Sequence, residues 1–240
     1  MSMVEPVIDV RGLSRSYGAR VAVSGVTLCI EPGAIVGLVG ANGGGKTTSL
    51  RMLAGLLRPS AGSGKVLGCD VMRPQRARRG QIGYMTQSLA LYPELTVAEN
   101  LRFRAEVTCG GSPGAAAAVV AEYGLADVLE SRISELSGGW ARRVQFAACV
   151  IHRPALLLLD EPTAGLDART RHEMWRWITA LAASGCTVVA STHDMHEAEQ
   201  CPMILHYREG QVEGPFAPQY LIARNGAETL EQAVIAEAGA

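Results

Sequence analysis

Ile35-Val36-Gly37-Leu38-Val39 runs without a break into Gly40-Ala41-Asn42-Gly43-Gly44-Gly45-Lys46-Thr47. The first five residues lack any polar alternation, which predicts a strand buried on both faces of a parallel sheet, entered from the Glu31-Pro32-Gly33 turn. The next eight satisfy G-x-x-x-x-G-K-[ST]. Glycines in this arrangement let successive backbone N–H groups turn inward around phosphate oxygens, and a following helix adds the positive end of its dipole. Lys46 supplies a point charge for the β and γ phosphates, and the Thr47 hydroxyl is placed to ligate Mg²⁺. From Lys46 onward, Leu50, Leu53, Ala54 and Leu57 make one apolar face, predicting a helix that ends near Arg58-Pro59. Strand, glycine loop and helix thus follow in the order that nucleotide binding requires.

A phosphate site also needs an acid at the end of a buried strand, and Leu156-Leu157-Leu158-Leu159-Asp160-Glu161 provides two. Asp160 is placed to hold Mg²⁺, and Glu161 to act as general base on the attacking water, a division that one carboxylate alone could not make. Thr187 to Ser191 reads as a third buried strand. The helix between these two strands carries Met174, Trp177, Ile178 and Leu181 on one face, so the alternation predicts a βαβ core with right-handed crossovers. Between Ser88 and Glu135 the composition turns helical, over Val97 to Glu106, Ala115 to Tyr123 and Ala126 to Ser131, with Cys109 to Gly114 as a break. From Glu209 the chain reads as turns and one short helix, Leu230 to Ala236.

Lys+Arg 22 against Asp+Glu 23 leaves a net charge of -1 in 240 residues, which argues against binding nucleic acid by bulk charge. The 48% hydrophobic content excludes disorder, yet the apolar runs stay far below the length of a membrane span. Met1 to Val10 has no basic leader or apolar core, so a cytosolic chain is expected. Six scattered cysteines form no C-x-x-C pair and read as reduced, mostly buried thiols.

Three further features are open when taken alone. Ser137-Gly138-Gly139 could be an ordinary helix cap, His193 a structural histidine, and Tyr17 either a packing or a functional aromatic. Together with the phosphate loop they resemble the nucleotide-binding subunit of the ATP-binding cassette (ABC) transporters. Leu136-Ser137-Gly138-Gly139-Trp140 is similar to the LSGGQ motif of that family, and Asp160-Glu161-Pro162-Thr163-Ala164-Gly165-Leu166-Asp167 to its Walker B and D-loop run. Gln87 matches the Q-loop and His193 the switch histidine, while Tyr17 stands where the family stacks an aromatic on adenine.

The resemblance implies an α/β fold: a P-loop NTPase (RecA-like) core with an N-terminal antiparallel β subdomain and a helical subdomain insert. It implies a single ABC ATPase domain over 1–240, with subdomain and core in 1–87 and 137–210, the insert in 88–136 and a C-terminal extension in 211–240. ATP and Mg²⁺ are the implied cofactors. Tyr17, Gly40, Asn42, Gly43, Gly44, Gly45, Lys46, Thr47 and Thr48 would bind nucleotide in one chain. Ser137, Gly138, Gly139 and Asp167 would complete the site of a second nucleotide-binding subunit paired head to tail. Thr47, Gln87 and Asp160 would surround the metal, with Glu161, His193 and Gln87 catalytic. A separate transmembrane permease is the implied partner, contacted through Tyr84 and Leu91 to Glu94, with the chain peripheral on the cytoplasmic face of the membrane and exporters the most similar subclass. The alternatives are a soluble ABC ATPase acting on ribosomes or nucleic acid, and a weakly hydrolysing regulatory module. Trp140 in place of Gln, and Ala41 and Gly44 in the loop, depart from the family pattern and predict weaker or slower ATP use.

Overall fold

The computed structural model describes residues 5–73, 80–112 and 114–238; the first four residues of the N-terminal reading, Pro113 of the glycine break and the last two residues of the extension lie outside them. The chain opens with β1 (Ile8–Tyr17) and β2 (Arg20–Ile30), paired antiparallel. β3 (Ile35–Gly40) leads through the glycine loop into α1 (Lys46–Leu53). β4 (Ala61–Val66) and β5 (Cys69–Asp70) extend the antiparallel group, and β6 (Ile82–Met85) returns to the parallel one. The helical stretch holds α2 (Val97–Cys109), α3 (Ala115–Glu122) and short 3-10 turns at Ala126–Val128 and Ile133–Glu135. α4 (Gly138–Val150), β7 (Leu156–Asp160), α5 (Ala168–Ala183), β8 (Thr187–Thr192), α6 (Met195–Glu199) and β9 (Met203–Arg208) alternate as expected of a crossover core. β10 (Gln211–Phe216), α7 (Pro218–Arg224) and α8 (Leu230–Ala238) close the chain.

Among the described residues the strands form one sheet in the order β5-β4-β1-β2-β10-β9-β3-β8-β7-β6. The segment from β9 to β6 is parallel, the segment from β5 to β2 antiparallel, and β10 joins them. Alternate residues of the parallel strands feed two cores. Leu157, Leu159 and Val188 pack with α4 and α5 on one face, while Leu156, Leu158 and Val189 share the other with α1 and the antiparallel strands. Val39 pairs with Thr192 and Asp160 with Ser191, so the carboxyl ends of β3, β7 and β8 stand level. Ligands of open parallel sheets bind at that edge.

Several sequence expectations need correction. α1 stops at Leu53, with Gly55 in left-handed backbone (φ 71), so Leu57 lies beyond the helix. Helical composition at 126–131 yields only a 3-10 turn. In α5 it is Trp175 that is buried, while Trp177 is half-buried against the same core. The stretch after Glu209 contains the strand β10 and the helix α7, neither of which was expected. Cys149, Cys186 and Cys201 are buried, and burial pushes their thiols up to about 12, 11 and 12; Cys29 is exposed, and Cys69 and Cys109 are only partly covered. No helix among the described residues is long and apolar enough to cross a membrane.

Candidate active site

The loop after β3 is shaped by contacts that exclude side chains. A Cβ on Gly40 would meet the Tyr207 carbonyl oxygen at 2.2 Å, and one on Gly45 would lie 2.7 Å from the Ala22 carbonyl oxygen and 2.9 Å from Val23 Cβ. Gly45 caps α1 with φ 105, which β-carbon-bearing residues rarely adopt. Lys46 is buried and its ammonium donates to the Gly40 and Ala41 carbonyls at 2.5 and 3.0 Å. Burial lowers its pKa, opposed by the Glu161 and Asp160 carboxylates. An alanine at Gly44 would sit 3.1 Å from the Ala41 carbonyl oxygen, so the loop would have to give by a few tenths of an ångström.

The two acids of β7 differ in surroundings. Asp160 Oδ1 accepts from Thr47 Oγ1 and Ser191 Oγ, both at 2.9 Å, which places a hydroxyl and a carboxylate, the hard oxygen donors that Mg²⁺ takes, side by side. Glu161 follows in left-handed backbone (φ 49) with its N–H on Ser191 Oγ. Its carboxylate accepts from Gln87 Nε2 at 3.1 Å on one oxygen, and His193 Nδ1 lies 3.3 Å from the other. A cavity of about 840 Å³ beside the loop is lined by Tyr17, Arg20, Lys46, Thr47, Gln87 and Glu161, among others. Tyr17 is exposed, with the Arg15 guanidinium 4.7 Å from its ring centroid. Asn42, Gly43, Gly44, Gly45 and Thr48 also line it.

Of the expected residues, Gly40, Asp160, His193, Ser137, Gly138, Gly139 and Asp167 do not line this cavity, and the last four stand at the starts of α4 and α5. Ser137 caps α4, its hydroxyl accepting from Trp140 N at 3.5 Å, and Gly138 and Gly139 form the first turn. Asp167 caps α5 by accepting from Thr170 N at 3.0 Å and Thr170 Oγ1 at 2.7 Å, and the Thr170 bonds hold its carboxyl below the usual range. Trp140 is half-buried with the Arg143 guanidinium 5.0 Å from its ring centroid; that guanidinium lies 5.6 Å from Trp177 and pairs with Glu173. The Trp140 ring therefore lies beside Arg143 of its own helix, partly buried against the core.

The sequence reading missed a second set of buried polar residues. Arg142 of α4 binds the carbonyls of Gln87 at 2.6 Å, Glu161 at 2.7 Å, Pro162 at 3.1 Å and Thr86 at 3.3 Å. Burial lowers its pKa, against the Asp160 and Glu161 charges. Glu197 of α6 accepts from Thr163 and Thr192, tying the ends of β7 and β8 together. The one available signal was a charged side chain on the face of α4 that also carries Gln145, Phe146 and Cys149.

Known proteins resemble this chain in sequence and in fold. The family model described as ABC transporter matches residues 23–164. The "Probable multidrug ABC transporter ATP-binding protein YbhF" of Escherichia coli (strain K12) is 36% identical over 96% of the chain, which spans only 41% of that relative. The "Nod factor export ATP-binding protein I" of Paraburkholderia xenovorans (strain LB400) is 37% identical over 95% of the chain and 77% of the relative. A solved "ATP binding subunit of ABC transporter" superposes with TM-score 0.85 at 26% identity, covering 95% of this chain and 98% of that one. Sequence and fold agree, and the chain belongs to the ABC transporter family as an ATP-binding ATPase domain.

Proposed function

We propose that this domain hydrolyses Mg·ATP to drive an exporter whose permease is a separate membrane partner. The convergence of Gln87 and His193 on the Glu161 carboxylate, next to the Thr47 and Asp160 pair, carries this reading. Lys46 and the loop N–H groups hold the phosphates, and Tyr17 offers its ring to the base. Thr47 and Asp160 hold Mg²⁺ directly or through water, with Gln87 alongside; the ion offsets phosphate charge when bound. Glu161 takes the proton of the attacking water, and Gln87 and His193 fix the orientation of its carboxylate. The exposed Ser137 hydroxyl and the Gly138 and Gly139 N–H groups at the start of α4 face the nucleotide of a second, head-to-tail cassette, with Asp167 at the same junction.

A cleft of about 340 Å³ lined by Tyr84, Leu91, Tyr92, Phe103, Arg104 and Cys149 supports docking of the permease on the helical insert. Exposed Leu89, Tyr92, Phe103 and Val107 add an apolar surface around it. Such a partner would keep the chain on the cytoplasmic face of the membrane. The names of the E. coli and Paraburkholderia relatives, multidrug and Nod factor export, favour export over import.

Glu161→Gln tests the reading, since it keeps the shape and removes the base. The variant is expected to bind ATP as the parent does, to accumulate as an ATP-bound dimer in size-exclusion chromatography, and to lose turnover by about 100-fold or more. Turnover equal to the parent would remove Glu161 from its role.

A further inference from the structure

Arg142 has an unusual set of partners for a buried cation. It is 7% exposed, and its hydrogen bonds run to four backbone carbonyls and to the Gln145 side-chain oxygen at 3.1 Å, none of them a carboxylate. A guanidinium presents five donors in a fixed planar fork, so it can hold several acceptors at defined angles where an ammonium cannot. Here Nη1 takes the Thr86 and Gln87 carbonyls of one loop, while Nη2 and Nε take Glu161 and Pro162 of another. The two loops are those that bring Gln87 Nε2 to Glu161 Oε2.

The Glu161 end of this grip has a further property. Its φ of 49 lies in the left-handed region, which a residue with a side chain keeps only when its surroundings over-determine it. Ser191 Oγ accepts from its N–H and Arg142 donates to its carbonyl, so both ends of that peptide geometry are pinned. Gln145, one turn along α4, reinforces the other loop: its amide donates to the Ser88 carbonyl at 3.0 Å and the Thr86 carbonyl at 3.2 Å. On the other side of Arg142, α4 starts at Gly138, one turn away.

We propose that Arg142 is a positioning residue that sets Glu161 against Gln87 through their backbone carbonyls. Movement of the Ser137 end of α4, the end that faces the other cassette, reaches the base of its own chain through this guanidinium. The proposal rests on Glu161 being the general base, and the test separates the two. Arg142→Gln and Arg142→Lys are compared with Gln145→Ala in the purified chain. Amide hydrogen exchange is followed at 86–88 and 161–163 without nucleotide, alongside ATP affinity and steady-state kcat.

In both Arg142 variants exchange is expected to quicken in the two loops together, and kcat to fall about 10–100-fold with ATP affinity unchanged, because small misplacements of a reacting group cost that much. Lysine should not rescue, since one ammonium cannot span both loops. Gln145→Ala should lower kcat by about 3–10-fold, the worth of one or two hydrogen bonds. It also decides the matter alone if the Arg142 variants do not fold, with parental kcat overturning the proposal. Quickened exchange in one loop only, parental kcat in a folded Arg142 variant, or kcat and affinity falling together would each overturn it too. If Glu161→Gln keeps its turnover, the base assignment fails whatever Arg142 does. If Glu161→Gln loses turnover while Arg142→Gln does not, only the present inference fails.

Discussion

Gly40 and Gly43 belong to one loop and both have positive φ, 143 and 82, yet they are held there for different reasons. At Gly40 the Tyr207 carbonyl of the neighbouring strand occupies the space a Cβ would need, whereas a Cβ on Gly43 would meet nothing within 4 Å. Gly40→Ala should therefore combine backbone strain with overpacking and cost about 3 kcal/mol or more. Gly43→Ala should cost only about 1 kcal/mol, the strain of the left-handed backbone alone. Denaturant unfolding of the two variants measures the gap, and equal losses would show that Tyr207 does not constrain the loop. At this scale the sequence was legible where chemistry is local. Gly40 to Thr47 lies within eight consecutive residues, and the pairing of Thr47 with Asp160 follows from what Mg²⁺ requires. Arg142 was not legible, because its partners are carbonyls 19 to 56 residues away and backbone groups carry no signature in a sequence.

The helices α2 and α4 both begin with a hydroxyl residue, and the two caps differ in quality. Thr96 and Glu99 form a reciprocal capping box, with Thr96 N on Glu99 Oε2 at 2.8 Å and Glu99 N on Thr96 Oγ1 at 3.2 Å. Ser137 accepts from Trp140 N at 3.5 Å, the outer limit of a hydrogen bond, so little of its hydroxyl is committed to its own helix. Thr96→Ala should lower stability by about 1 kcal/mol and leave turnover as it was. Ser137→Ala should cost well under 1 kcal/mol, but reduce turnover by about 10-fold or more if its hydroxyl serves the nucleotide of the second cassette. Thermal melts and ATPase rates of the pair separate these effects, and parental turnover in Ser137→Ala would withdraw that role. Elements with their own periodicity or caps, such as β3, α2 and β7, could be read from the sequence. β10 could not: Gln211-Val212-Glu213-Gly214-Pro215-Phe216 has the composition of a turn, and it becomes a strand because β9 and β2 offer edges on either side.

Over the whole molecule, the last helix is tied to the strand beside the glycine loop by a buried polar cluster. His206 of β9 pairs in register with Val39, and its Nδ1 lies 3.0 Å from Glu237 Oε2 of α8. Glu237 also accepts from Asn225, at 3.1 Å, and from Arg224 of α7. Burial lowers the His206 pKa from 6.5, outweighing the Glu237 and Glu213 charges that raise it, while the Arg208 charge lowers it further. Burial pushes Glu237 up, but the bonds from Asn225 and Arg224 and the Arg224 and His206 charges together bring it below 4.5. The folded imidazole resists a proton that the unfolded one accepts, so its contribution is present above 6.5 and is lost as pH falls from there toward its folded value. The Glu237 carboxylate contributes above 4.5 and loses its contribution at lower pH, as pH falls through its own folded value. His152, also lowered by burial, acts in the same direction as His206. Melting temperature is therefore expected to drop between about pH 7 and pH 5, before ordinary carboxylates titrate. His206→Asn should flatten that slope in part, with the remainder assigned to His152. A parent slope unchanged in His206→Asn would mean that the C-terminal helix is not held through this histidine, and that α8 docks by Leu230 and Ala233 alone.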